Sequence, residues 1–415
     1  MSKGLNYIDL FAGAGGLSEG FVRAGFNPVA HVEMDLAACY SLKTRSVYHY
    51  LKENKKLDNY NEYLKGSITR AELYSLVPKE ILESVINLPI GKEFNDQIFN
   101  VIDKQIKEVD FIIGGPPCQA YSLVGRARSA NGMKTDPRNY LFYEYAKFLK
   151  RYKPKVFVFE NVLGLKSANQ GGYFKTMLSV FKNLGYEVAD FVFHADKFGV
   201  LQKRKRVVLI GYKRELNLAL PDFEPLFLPQ HQVKDIFADL PHLQAGEGID
   251  KYFEYSGNSN DYLEHSHIRN GINILTQHVT RPHTLQDKEI YRIAVEMWEA
   301  KGERLSYTHL PEQLKTHSNR HSFFDRFKVV ASNLDSSHTV VAHIAKDGHY
   351  YIHPDIEQNR SISVREAARL QSFPDDFYFE GGKEGKNRTA AFKQIGNAVP
   401  PLMAYNIAHK INSLF

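Results

Sequence analysis

The strongest constraint in this sequence is the alternation, through its first half, of short β-branched and aromatic apolar runs with amphipathic helical stretches. Residues 7–11, 28–33, 109–114, 156–160, 186–193 and 207–212 read as strands, and 17–24, 141–151 and 174–184 read as helices between them. Strands that are apolar along their whole length must be covered on both faces. The pattern therefore predicts an α/β chain with a doubly wound, Rossmann-like, mostly parallel sheet. Near Leu216 the texture changes to Pro221, Pro225, Pro229 and Pro241 among irregular aromatic stretches, and this part holds 13 of the 17 histidines. The break predicts a first domain over 1–215, completed by about 385–415, where 400–411 reads as a helix packing back on it. A second, smaller and irregular domain is expected over 216–384, with a helix at 364–371.

The excess of Lys and Arg over Asp and Glu is only 6, but it is unevenly spread. Residues 216–360 hold 14 basic against 20 acidic side chains, which leaves a net +12 on the rest. Basic runs at Arg126, Arg128, Lys134 and Arg138, and at Lys203, Arg204, Lys205 and Arg206, suit contacts with phosphates. No stretch approaches the ~20 apolar residues that span a bilayer. Met1 leads directly into a strand rather than a signal segment, so a cytoplasmic chain with no membrane contact is expected. Cys39 and Cys118 are the only cysteines, too few for a disulfide framework or a cysteine-rich zinc module, and no metal site is expected.

Asp9-Leu10-Phe11-Ala12-Gly13-Ala14-Gly15-Gly16 ends a strand and opens a helix. Glycines there let a ligand approach the backbone, and Glu33 at the end of the next strand suits ribose hydroxyls. A third phosphate-cradling glycine would fall at Ser18, so the turn favours a cofactor without phosphates over a dinucleotide. Gly114-Gly115-Pro116-Pro117-Cys118-Gln119 follows another strand, and its two prolines fix the backbone before a candidate nucleophile. Cys39, in the apolar stretch 36–40, reads as a small buried hydrophobe. Glu160-Asn161-Val162 ends a further strand, and Gln202-Lys203-Arg204-Lys205-Arg206 precedes the last one. A carboxylic acid that can hydrogen-bond a heterocycle and an arginine that can grip a carbonyl thus share one sheet edge with a cysteine.

These motifs, followed in order by Arg365-Glu366-Ala367-Ala368-Arg369-Leu370-Gln371 and Gln394-Ile395-Gly396-Asn397-Ala398-Val399-Pro400, resemble those of the DNA cytosine-5 methyltransferases over nearly the whole chain. The resemblance implies the S-adenosylmethionine-dependent methyltransferase fold and transfer of a methyl group to carbon 5 of a cytosine flipped out of duplex DNA. It implies catalytic roles for Cys118 as nucleophile at carbon 6, Glu160 at N3 and the amine, and Arg206 at the carbonyl with Arg204 nearby. The S-adenosylmethionine contacts carry over to Phe11, Ala12, Gly13, Gly15, Gly16, Glu33, Met34, Ile68, Pro117, Leu141, Asn397 and Val399. Lys65-Gly66-Ser67-Ile68-Thr69 aligns with the segment where the family has an Asp on the adenine amine, and Ser67 stands there instead. Residues 69–108 form a longer connection than that segment requires and have no assigned role. Target recognition is expected within 216–324, where His278, Arg281, His283, His317, Asn319, Arg320 and His321 suit base edges. A monomeric, stand-alone bacterial or phage enzyme working beside a restriction endonuclease is expected. The alternative is a transfer RNA cytosine-5 methyltransferase, whose Cys-Phe-Thr motif would need a third cysteine; a DNA-binding module without activity and a nicotinamide oxidoreductase fit the motifs less well.

Overall fold

The computed structural model describes residues 4–106, 108–117, 136–224, 231–317, 320, 323–385 and 387–415. Seven strands form one sheet: β1 (Asn6–Leu10), β2 (Asn27–Glu33), β3 (Val85–Asn87), β4 (Phe111–Gly114), β5 (Val156–Asn161), β6 (Tyr186–His194) and β7 (Lys205–Lys213). Their order is β3-β2-β1-β4-β5-β7-β6. The first five pair in parallel, and β7 runs antiparallel to both of its neighbours.

Side chains alternate across this sheet, so each strand feeds two cores. Ile8, Leu10, Val32, Ile112, Phe157 and Phe159 are buried with Phe142, Phe148, Met177 and Phe181. These partners come from the helices Leu141–Tyr152 and Gly172–Asn183. Tyr7, Phe111, Ile113, Val156 and Val158 are buried in the other core with Leu17 and Phe21 of the helix Gly16–Arg23, and with Leu402, Met403, Ile407 and Ile411 of the helix Pro401–Asn412. The last helix of the chain therefore completes a layer begun by the first. Gly20 makes their close approach possible, because a Cβ there would lie 2.4 Å from Ala404 Cβ.

Three features were not foreseen from the sequence. The edge strand β3 comes from only three residues. The long helix Leu36–Glu53, N-capped by the Asp35 carboxylate, follows β2. Residues 57–83 form the helices Leu57–Lys65, Arg70–Ser75 and Lys79–Glu83, which pack Tyr60, Tyr63 and Leu73 against Tyr48 and Tyr378.

Between β7 and the helix Arg388–Asn397 the chain has little regular structure: a two-residue ribbon of β8 (Gly248–Ile249) and β9 (His278–Val279), and the helices Asp261–His265, Leu285–Lys301 and Val364–Leu370. Fully buried arginines replace long secondary structure as its organisers. Arg360 makes two bonds to Glu366, at 2.7 and 2.8 Å. Arg369 holds Asp375 at 2.5 and 3.0 Å and Asp239 at 2.6 Å. Arg45, from the first half, joins Glu19 to Asp376. Among the described residues no helix is long and apolar enough to cross a membrane.

Removing one member of such a desolvated set leaves buried carboxylates without a counter-charge, which costs about 3–5 kcal/mol. We expect Arg369→Met to lose stability of that order in urea unfolding. Lys65→Met, which breaks an exposed pair with Glu62, should stay within ~0.5 kcal/mol of the parent. Equal effects of the two substitutions would contradict the assignment.

Candidate active site

Parallel strands end at one edge, and an antiparallel neighbour starts there. This brings together the ends of β1, β2, β4 and β5 and the beginning of β7. Leu10 pairs with Gly114, Gly114 pairs with Phe159, and Asn161 pairs with Val207.

Arg206 and Glu160 meet at this edge, with the Arg206 Nε 2.5 Å from Glu160 Oε1 and the two side chains only 12 and 13% exposed. Arg206 also donates an Nη1 hydrogen to the Lys205 carbonyl at 2.9 Å. Three of its five N–H donors have no partner among the described residues, which suits them to an incoming carbonyl oxygen.

The loop after β4 lies directly against this pair. A Cβ on Gly115 would lie 2.5 Å from Glu160 Oε2 and 2.8 Å from the Glu160 carbonyl, so glycine is required there. Asn161 Nδ2 donates to the Pro116 carbonyl at 3.2 Å. Cys118 itself, with Arg126, Arg128 and Lys134, lies outside the described residues; the residues leading into it, up to Pro117, are fixed beside Glu160. Cys39 is buried, donates to the Glu33 carbonyl at 3.2 Å, and has its thiol pushed up to about 12 by burial, so it is not a nucleophile at neutral pH.

At the other end of the edge, Glu33 accepts from the backbone N–H groups of Gly13, Met34 and Asp35 at 2.7–2.8 Å. Burial raises its carboxyl above the usual carboxylate range against the pull of those three donors. A carboxylate has about four acceptor directions, so one remains for a ligand hydroxyl. Phe11 adopts a left-handed φ of 57°, and Met34 beside the turn is 66% exposed. Gly16 packs so closely on the Val399 carbonyl that a Cβ would lie 2.3 Å from it, which joins the glycine turn to the C-terminal motif. Ala12 and Val399 are buried, Gly13, Pro117 and Leu141 half-buried, Gly15 buried, and Asn397 exposed. Ser18 faces inward, 2.6 Å from Tyr7 Oη and 2.8 Å from His31 Nε2, so the helix start offers no phosphate cradle.

Several sequence-based expectations are corrected by these placements. Arg204 is buried and donates to the Val340 and Gly396 carbonyls at 2.8 and 3.2 Å, bonds that brace the run leading to Arg206. Ile68 packs with Tyr60, Tyr63 and Leu73 among the helices of residues 57–83. The residue at the end of the strand beside β2 is Asn87, whose Nδ2 donates to the Glu33 and Met34 carbonyls at 3.1 and 3.0 Å. The apolar Val85-Ile86 pair followed by Asn-Leu-Pro was the only signal for it, and three residues carry no readable periodicity.

His278 and His283 are not available to base edges. His278 lies 3.0 Å from Ser363 Oγ and 2.8 Å from the Pro241 carbonyl, and His283 lies 2.9 Å from Ser361 Oγ. Arg281 donates to three carbonyls between Ile344 and Lys346. His317 and Arg320 are exposed, whereas Asn319 and His321 lie outside the described residues.

The strand order, the glycine turn and the acid–arginine pair at one edge define a methyltransferase of the S-adenosylmethionine-dependent fold. The model of the C-5 cytosine-specific DNA methylases matches residues 5–67 and 83–413. The chain belongs to that family, and its activity is that of a DNA cytosine-5 methyltransferase. It is 44% identical to a type II methyltransferase of Bacillus paralicheniformis over 98% of each chain. It is 32% identical to one of Desulfomicrobium norvegicum, over 99% of this chain and 89% of the relative. The same fold occurs in a candidate DNA modification methyltransferase encoded within an Escherichia coli prophage, with a TM-score of 0.64, 23% identity and 99% of each chain covered. It occurs also in an Entamoeba histolytica methyltransferase, with a TM-score of 0.56, 15% identity and full coverage of both chains. The unmatched stretch, 68–82, contains Ile68 and most of the two short helices before β3.

Burial lowers the pKa of both His278 and His283 to about 4. The unfolded chain, with histidine near ~6.5, takes up these protons first as the pH falls. The stability these neutral rings contribute is therefore full above about pH 6.5 and is lost towards about pH 4. A His278→Gln protein should lose stability less steeply between about pH 6.5 and about pH 4, by up to ~1.4 kcal/mol per pH unit. Denaturant unfolding at several pH values reads this, and parallel curves for the two proteins would refute it.

Proposed function

We propose that this enzyme methylates carbon 5 of a cytosine flipped out of duplex DNA through a transient bond between Cys118 and carbon 6. The observation that carries this reading is the Glu160–Arg206 pair packed against Gly115, three residues before Cys118. Thiolate addition at carbon 6 makes carbon 5 electron-rich. Once carbon 5 has taken a methyl group and lost its proton, the thiolate leaves and the ring is restored. Glu160 holds N3 and the exocyclic amine, and Arg206 presents its open donors to the carbonyl oxygen. Burial disfavours the thiolate of Cys39, and Cys118 is the other cysteine of the chain.

The residues at the first end of the edge fit S-adenosylmethionine. Glu33 retains an acceptor direction for a ribose hydroxyl, Phe11 and Met34 offer apolar surface, and the phosphate-free turn matches a cofactor without phosphates. Gly13, Gly15, Gly16, Pro117, Leu141, Asn397 and Val399 complete this surface, and Asn87 stands where an adenine amine would be met. When bound, the cofactor supplies the methyl group.

We assign the chemistry to residues 1–215 with about 385–415, and choice of target sequence to about 216–324 within a smaller domain of 216–384. The family match favours DNA over transfer RNA, in keeping with the absence of a third cysteine. A cytoplasmic monomer protecting DNA from a partner restriction endonuclease fits a type II relative.

Bisulfite sequencing of a plasmid from cells expressing the enzyme should show one recurring sequence with protected cytosines. Glu160→Gln should protect the same sequence with a single-turnover rate lower by about 10²-fold to 10⁴-fold, the usual loss when a positioned acid is removed. Methyl groups on adenine or on the cytosine amine, or a near-normal rate in the variant, would overturn the reading.

A further inference from the structure

A second feature lies on the outer side of the Gln202–Arg206 run. A cavity of about 170 Å³ opens there, walled by Lys203, Trp298, Arg304, Ser336, His338 and Thr339 among others, and no carboxylate lines it. Lys203 and Arg304 are exposed, and neither has an acidic partner among the described residues. Two unpaired cations facing one cavity repel each other, so the site gains from an anion between them. The Trp298 ring is fixed by its indole N–H, which donates to Asn333 Oδ1 at 3.1 Å. Ser336 is itself largely buried, and its hydroxyl reaches the cavity with no hydrogen-bond partner among the described residues.

The cavity is built rather than incidental. Its floor is stitched to the catalytic edge: Lys203 N–H donates to the Ser337 carbonyl at 2.8 Å, Ser337 N–H donates to the Leu201 carbonyl at 3.0 Å, and the Thr339 hydroxyl donates to the Lys203 carbonyl. Lys203 stands three residues before Arg206, whose partner is Glu160. An anion held here is therefore kept at a fixed position relative to the reacting base.

We propose that this cavity seats one phosphate group of the DNA backbone close to the target cytosine, with Lys203 and Arg304 as its counter-charges, the Ser336 hydroxyl as donor and Trp298 as the wall that limits its approach. The site ties the recognition half of the chain, which supplies Trp298 and Arg304, to the catalytic half through a single phosphodiester. It gives the acidic middle of the chain a specific phosphate contact that its net charge does not suggest. This inference rests on the reading that the enzyme works on duplex DNA.

Fluorescence anisotropy with a labelled duplex bearing the methylated sequence, repeated across a range of KCl concentrations, tests it with the full-length Lys203→Gln, Arg304→Gln and doubly substituted proteins. Neutralising one phosphate contributes about 0.9 to the slope of log Kobs against log salt. The double variant should be shallower by about that amount, not twice it, because both cations serve one phosphate. Neutral methylphosphonate linkages placed singly along the duplex should then identify one position that weakens the parent and leaves the double variant unaffected. An unchanged slope, or every linkage weakening both proteins equally, would overturn the proposal. Formation of 5-methylcytosine by the parent on the same duplex separates the two ideas: if it forms while the slope is unchanged, only the cavity assignment fails, and if it does not form, the functional reading itself fails.

Discussion

The buried carboxamide of Gln202 is the joint on which the site depends. Its Nε2 donates to the Leu370 carbonyl at 3.0 Å and to Gln371 Oε1 at 2.8 Å, while its Oε1 accepts from Val340 N–H at 2.6 Å. Two residues on, Arg204 takes the Val340 and Gly396 carbonyls. These groups have no exposure to water, so each unmade bond would leave a desolvated dipole costing about 1–3 kcal/mol. The run from Gln202 to Arg206 is therefore locked against the C-terminal motifs before β7 begins, and Arg206 has little choice but to meet Glu160. Because β7 is antiparallel to β5, its first residues rather than its last lie at the ligand edge.

The same logic extends through the irregular half. Segments with few ladder hydrogen bonds are fixed by arginines whose forked donors satisfy several acceptors at once. Arg365 binds the Thr276 carbonyl and hydroxyl and the Pro374 and Phe377 carbonyls, and Arg369 binds Asp239, Asp375 and the Ile236 carbonyl. The family motif at residues 365–371 thus acts as a scaffold element. Its last residue, Gln371, donates to the Ile395 and Ala398 carbonyls and so steadies the segment that packs on Gly16 of the glycine turn.

The layered fold was legible because its signal is local. β5 spans Val156–Asn161 where 156–160 was expected, and the helix Leu141–Tyr152 differs by one residue from its periodic stretch. That the site motifs meet at one sheet edge was legible for the same reason, since glycines and a lone acid at strand ends stand out from an apolar run. What could not be read depends on distant partners. Nothing in the neighbours of Arg204 says that its guanidinium turns inward to Val340, 136 residues away. His278 and His283 look like base readers by residue type, yet their bonds to Ser363 and Ser361 make them interior struts. Between Ser67 and the short β3 strand that ends at Asn87 two further helices, not foreseen from the sequence, intervene.

The central claim is that the loop led by Gly115 delivers Cys118 to the base held by Glu160 and Arg206. It is tested most directly by trapping the enzyme on duplex DNA carrying 5-fluorocytosine at the target position, digesting the complex and mapping the modified peptide by mass spectrometry. Fluorine at carbon 5 cannot leave as the proton does, so the bond to carbon 6 persists. The account predicts that the nucleotide is found on the peptide containing Cys118 and on no other. Attachment at Cys39, or no adduct at all from an enzyme that still forms 5-methylcytosine in the ordinary duplex, would contradict it.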